Sequence, residues 1–260
     1  MAPISSTVVI TGASSGIGTA LALRYARQGA TIGLIGRNQE RLASVAVECR
    51  NLGANVSVGE IDIRARAELM HWLEAFDDAT PIDLLFANAG VMEGTPPGGK
   101  IEPPDAAYAM IQTNILGVLN TVQPLIPRMM TRGRGQIALV SSIAGFIPLP
   151  DSPSYCASKA AVLSYGLALR ALLDPYGIRV SVICPGYITT PMMLRESGPK
   201  PFAMPPGKAA DLICRGLEHN RAVIAFPFFF ALVTRIGGLL PDRLRRWTMR
   251  PFRFTVSEPH

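Results

Sequence analysis

Seven short runs rich in Val, Ile and Leu alternate along this chain with longer stretches of helical pattern. The runs lie at 7–10, 31–35, 55–58, 82–86, 136–140, 179–183 and 222–226. Most lack the strict apolar–polar alternation of a strand with one wet face, so they read as parallel strands buried on both sides. Stretches such as 18–28, 39–52, 65–76, 106–130 and 153–173 supply the helices between them. Strand, helix, strand repeated in this way makes a doubly wound α/β sheet. No linker or repeat divides it, and 260 residues suit one domain. With 48% apolar and 17% charged residues, wholesale disorder is excluded.

The first run leads directly into Thr11-Gly12-Ala13-Ser14-Ser15-Gly16-Ile17-Gly18, and a helical pattern follows. Glycines in such a turn let backbone approach a phosphate closely, and the helix N-terminus behind it offers free N–H groups. In a dinucleotide fold the ribose is read after the second strand. An acid there would take the ribose hydroxyls, whereas this chain has Gly36-Arg37-Asn38. A guanidinium pairs with a 2′-phosphate and stacks on adenine, so NADP is favoured, with NAD as the alternative.

Tyr155 and Lys159 stand at i, i+4 near the start of a helix that Ser152 caps and Pro153 opens. A free phenol titrates near 10. An ammonium about 4 Å away, at an effective dielectric of about 20, favours phenolate by about 4 kcal/mol, enough to bring it near neutrality. The pair therefore reads as a general acid/base. Cys49, Cys156, Cys184 and Cys214 are widely spread with no CxxC, so neither a disulfide framework nor a zinc ribbon is suggested, and Cys156 and Cys184 read as packing residues. His71, His219 and His260 are far apart, so no metal site is expected.

These motifs, in this order and spacing over about residues 5–226, resemble the short-chain dehydrogenase/reductase family. Asn88-Ala89-Gly90 matches its turn after the fourth strand, Asn114 its helix-kinking asparagine, and Ser142 its serine 13 residues before the tyrosine. The resemblance implies a single-domain Rossmann fold, with a parallel seven-stranded sheet flanked by helices. It also implies reversible hydride transfer between nicotinamide and a carbonyl or alcohol. Asn114, Ser142, Tyr155 and Lys159 would form the catalytic tetrad. Tyr155 would pass the proton, Ser142 would hold the substrate oxygen, Lys159 would tune Tyr155 and hold the ribose, and Asn114 would anchor a proton-relaying water. Cofactor contacts would come from Gly12, Ser14, Ser15, Gly16, Ile17, Gly18 and Arg37, from Asp62 with Ile63 beside it, and from Asn88, Ala89 and Gly90. Tyr155, Lys159, Pro185, Gly186, Ile188 and Thr190 would complete them. Ser15 stands where many NADP-using relatives carry a basic residue. Relatives are usually homodimers or homotetramers.

The segment 187–206, rich in Pro, Gly and Met, falls after the sixth strand and reads as a substrate lid on the catalytic body 1–226. Met92, Ser142, Phe146, Tyr155, Tyr187, Met192 and Met193 are the expected substrate contacts, and the soft apolar ones favour an apolar carbonyl compound. Residues 227–260 form a basic extension, with Arg235, Arg243, Arg245, Arg246, Arg250 and Arg253 against Asp242 and Glu258. A helix from Pro241 would place Leu240, Leu244 and Trp247 on one face and Arg243, Arg246 and Arg250 on another. That face suits peripheral membrane contact and a lipid-like substrate, or docking on the same domain or a second subunit. No secretory signal and no 18-residue apolar stretch is evident, which gives a cytoplasmic reading. Two alternatives stay open: a 3-ketoacyl reductase fed by an acidic carrier protein, and a catalytically silent nucleotide-binding scaffold. Nucleic-acid binding is not expected.

Overall fold

The computed structural model describes residues 7–249 and 253–257, and all seven expected strands form in it. They are β1 (Thr7–Thr11), β2 (Thr31–Gly36), β3 (Asn55–Glu60), β4 (Leu84–Ala87), β5 (Gly135–Val140), β6 (Ile178–Pro185) and β7 (Val223–Phe226). Every pairing is parallel, in the order β3-β2-β1-β4-β5-β6-β7. β1 and β4 are buried throughout, whereas the edge strand β3 buries only Val56 and Gly59 and exposes the rest to water. The order reverses between β1 and β4, where ligands bind in doubly wound sheets, beyond the carboxyl ends of the strands.

Helices cover both faces. On one side α1 (Gly16–Ala26), α2 (Gln39–Asn51) and α9 (Pro206–Glu218) bury Leu21, Leu42 and Ile213 against Ile10, Leu34 and Phe86. On the other, α3 (Arg66–Ala79), α5 (Gly117–Val122), α6 (Ile126–Arg132) and α7 (Pro153–Leu173) bury Leu73, Val122, Met129 and Leu169 against Val9, Leu85 and Ile137. Each fully buried Leu or Ile contributes about 1.5–3 kcal/mol. α7 is long and apolar enough to cross a membrane by length and composition alone, yet it is a core helix. At Gly166 an added Cβ would strike Val182 and come within 2.8 Å of Leu139, so the glycine lets α7 lie directly on the sheet.

The stretch 106–130 is not one helix. It divides into α4 (Pro104–Ile111), a π-helical turn (Gln112–Leu116), α5 and α6. Pro124 cannot donate to a continuing helix, and Pro127 suits the first turn of a new one. Ser152 precedes α7 but does not cap it by its side chain; its hydroxyl donates to the Glu93 carbonyl instead. The Glu102 carboxylate takes over, accepting from the Ser154 N–H (3.2 Å) and hydroxyl (2.5 Å).

The extension forms α10 (Phe228–Gly238) and α11 (Asp242–Met249). Arg250 of the expected basic face lies outside the described residues, as does the side chain of Arg246. Residues 253–257 return to the body as a strap. Val256 bridges Glu196 and donates to the Thr95 carbonyl (3.0 Å), Ser197 N–H donates to Thr255 O (2.9 Å), and Arg253 Nε donates to the Asp151 carboxylate (2.7 and 2.8 Å). Part of the extension therefore packs on its own domain.

Candidate active site

The loop after β1 and the turn after β4 are stitched together at the crevice. Thr11 Oγ1 donates to Phe86 O (3.2 Å) and accepts from the N–H groups of Asn88 (3.1 Å) and Ala89 (3.2 Å). Asn88 Nδ2 donates to Thr11 O (2.9 Å) and Gly12 O (3.2 Å). Gly12 and Gly16 have φ of 67° and 57°, which favours glycine, and an added Cβ would meet Ala89 Cα at 2.8 Å and Thr190 Cγ2 at 2.9 Å. The bare loop leads into the N-terminus of α1, a cradle shaped for phosphate.

A cavity of about 980 Å³ runs from this cradle across the sheet. Gly12, Ser14, Ser15, Gly16, Ile17, Arg37, Asp62, Ile63, Asn88, Ala89, Gly90, Pro185, Gly186, Ile188 and Thr190 all line it. Gly18 does not; it lies beneath the loop, where a Cβ would collide with the Gly12 carbonyl. Asn38 and Arg41 line the cavity beside Arg37, although nothing but proximity to Arg37 marked them in the sequence. Burial alone would raise the Asp62 carboxyl. The hydrogen bonds and charge of Arg64, with Arg37 behind at 3.9 Å, instead hold it below its ordinary value. Volume, bare loop and cationic rim fit a dinucleotide.

Ser142, Tyr155 and Lys159 line the middle of the cavity. Ser141 Oγ donates to Lys159 O (2.7 Å), tying α7 to the end of β5. Lys159 Nζ donates to Val140 O (3.0 Å) and lies 5.6 Å from the centre of the Tyr155 ring. Burial brings this lysine down to about 8. The Tyr155 hydroxyl is within hydrogen-bonding reach of Ser142, but burial outweighs this and pushes the phenol above its ordinary value. The expectation of a phenol near neutrality is therefore corrected: burial outweighs the hydrogen bond, Glu196 also raises the phenol, and the ammonium is itself buried and spends a donor on Val140. Burial likewise holds the Cys184 thiol up at about 12 and Cys156 at about 11, as inert packing thiols.

Asn114 does not reach the cavity surface. The π-helical turn points it inward, where Oδ1 accepts from Val91 N–H (2.8 Å) and Nδ2 donates to Val91 O (2.9 Å) and Ser158 Oγ (3.0 Å). A Cβ on Gly90 would lie 3.1 Å from Asn114 Oδ1 and 3.3 Å from Lys159 Nζ, so these groups meet at one point.

Met92, Tyr187, Met192 and Met193 line the far end as expected. Phe146 does not. A 3₁₀ turn (Ile143–Gly145) swings it to the other side, where the Arg235 guanidinium lies 4.8 Å over its ring and a separate cavity of about 720 Å³ opens. Ile147, Leu149, Phe230, Val233 and Phe254 take its place in the wall, with Glu196 among them.

The short chain dehydrogenase family model matches residues 6–199. An uncharacterized oxidoreductase of Myxococcus xanthus is 34% identical over 239 residues, which are 92% of this chain and 94% of that protein. A short-chain dehydrogenase from Sphingobium yanoikuyae, solved in complex with NADPH, has the same fold with a TM-score of 0.78 at 27% identity, covering 95% of this chain and 96% of that one. A short chain dehydrogenase from Mycobacterium paratuberculosis, solved bound to NAD, gives 0.74 at 26% identity over 84% and 94%. A nicotinamide cofactor is common to both structures, and this chain belongs to the short-chain dehydrogenase/reductase family of oxidoreductases.

Proposed function

We propose that this protein is an NADP(H)-preferring carbonyl reductase or alcohol dehydrogenase for an apolar ketone or secondary alcohol. One observation carries the reading: Ser142, Tyr155 and Lys159 face a single cavity whose far wall is Met92, Ile147, Leu149, Met193, Phe230 and Phe254. The cofactor preference rests on Arg37 and Arg41, which line the end of the cavity after β2, where no acid replaces them.

Bound nicotinamide supplies or accepts the hydride. The Tyr155 hydroxyl gives its proton to the carbonyl oxygen in reduction, and a neutral phenol is the form that can do so. Ser142 donates to the same oxygen, so the developing alkoxide meets two fixed donors. Lys159 holds positive charge beside the phenol and the ribose end of the cradle. Asn114 acts from behind, holding Val91 and the turn at Gly90 against Lys159.

A lipid-like substrate met at an anionic membrane surface, and a dimeric or tetrameric assembly, complete the proposal. Support for the surface comes from α10. Phe230 and Val233 line the cavity, while Phe228, Phe229 and Leu232 of α10 are exposed, as are Leu239, Arg243 and Trp247 that follow it in the chain.

Fluorescence titration with NADPH and NADH tests the cofactor reading, with Arg37→Asp beside the native protein. We expect NADPH to bind at least about tenfold more tightly, equivalent to about 1.4 kcal/mol, and Arg37→Asp to remove that margin. Equal loss for both nucleotides would sink the 2′-phosphate role. Turnover of free apolar ketones supports the reading; turnover only of carrier-bound ketoacyl thioesters replaces it with the ketoacyl reductase.

A further inference from the structure

Glu196 is a carboxyl on an otherwise largely apolar wall. It follows α8 (Pro191–Leu194) in the lid, and its backbone is held on several sides. Its N–H donates to Met193 O (3.2 Å), its carbonyl accepts from Lys200 Nζ (2.6 Å), and it bridges Val256 of the strap. On either side, Ser257 N–H donates to Arg195 O (2.9 Å) and Ser197 N–H to Thr255 O (2.9 Å). The segment is a fixed frame, and it directs the Glu196 side chain to the cavity that Tyr155, Tyr187, Met92 and Phe254 also line.

Among the described residues no hydrogen bond or ion pair engages the Glu196 carboxyl. The neighbouring charges have other partners. Arg195 Nη2 binds Glu93 Oε2 at 2.5 Å, with further bonds to Ser257 O and Met92 O, and Arg253 of the strap is committed to Asp151. Lys200 acts on the carboxyl only by its charge, and the phenols facing it from α7 and the lid are Tyr155 and Tyr187. Burial pushes Glu196 up to about 7. A carboxyl in such a wall is best accommodated when a donor bonds to it, and among the described residues none does so.

We propose that Glu196 reads the substrate: its carboxyl takes a hydrogen bond from a donor group, a hydroxyl or an ammonium, carried in addition to the reacting carbonyl or carbinol. This rests on the cavity being the active site and narrows the substrate class to an apolar ketone or alcohol with one such donor. Both donors share one chemistry, and charge separates them: an ammonium gains from carboxylate far more than from a neutral amide, whereas a hydroxyl is served by either.

The test is calorimetric binding to the nucleotide-loaded protein, with acetophenones carrying hydroxymethyl or aminomethyl at the ortho, meta or para position and the methyl compounds as controls. Native protein should bind at least one donor-bearing ketone about tenfold more tightly than its methyl counterpart. Glu196→Leu should erase that preference while binding the methyl ketones as well or better, which loss of folding could not produce. Glu196→Gln should keep a hydroxyl preference and lose an ammonium preference. For the hydroxymethyl ketone, the native preference should widen from pH 6 to pH 8 as the carboxyl ionises and rejects the methyl compound, and stay flat in both variants. No preference at any position, or equal weakening of all ketones by Glu196→Leu, would overturn the proposal. A preference without turnover would count against the reductase reading and leave that of Glu196 standing.

Discussion

At the Tyr155 hydroxyl, burial and the hydrogen bond with Ser142 pull in opposite directions, and burial wins. The consequence is directional. Reduction uses the neutral phenol and should hold its rate between pH 6 and 8. Alcohol oxidation uses phenolate and should climb with pH through that range. The Lys159 ammonium lies 5.6 Å from the centre of the Tyr155 ring, and a unit charge about 5 Å from a phenolate, at an effective dielectric of about 20, is worth about 3 kcal/mol. Lys159→Met should therefore move the alkaline rise in oxidation up by about two pH units, and Tyr155→Phe should abolish turnover while nucleotide still binds. pH–rate profiles in both directions check this. Ser142, Tyr155 and Lys159 were legible because their spacing is fixed by one strand end and one helix. Phe146 was not: closeness to Ser142 in sequence suggested the cavity, but the intervening 3₁₀ turn reverses its side. Nor was Glu196, whose orientation depends on a bridge to Val256, sixty residues on.

At the scale of elements, the loop and α1 are tuned by what they omit. A Cβ at Gly18 would collide with the Gly12 carbonyl and come within 2.8 Å of Asn88 Nδ2, so α1 would have to withdraw from the loop. Gly18→Ala should lose about 1–3 kcal/mol of stability and weaken nucleotide binding with it. Gly207→Ala, in the first turn of α9 with nothing nearby, should instead be neutral or gain about 0.5–1 kcal/mol. Denaturant melts of both proteins, with nucleotide titration of each, separate the two cases. The seven strands could be read because buried parallel strands are continuous apolar runs. In 106–130 the break between α5 and α6 is marked by Pro124 and Pro127, whereas the π-helical turn has no such mark, because it shifts the register without changing composition.

Across the whole molecule, α10 stands between the substrate cavity and solvent. On the surface reading, vesicles containing anionic phospholipid should retain the protein, and raised salt should release it. Phe228→Ser with Phe229→Ser should reduce co-sedimentation at least about tenfold while leaving nucleotide binding intact. Retention by neutral and anionic vesicles alike would remove the arginines from the account, and no retention would leave the aromatic face to a protein partner. That the tail both exposes α10 and straps the lid is a long-range result, set where 253–257 meet 94–95 and 195–197, and no local pattern announces it.

The strap also imposes an order in time. The glycine-loop cradle is built by the first ninety residues, but the apolar end of the cavity waits for Phe254, which the ribosome makes long after Tyr155 and Lys159. A nascent chain halted before that point could dock its cofactor and still have an unwalled pocket. The wall that would select a substrate is therefore completed later in synthesis than the cradle that would hold the nucleotide.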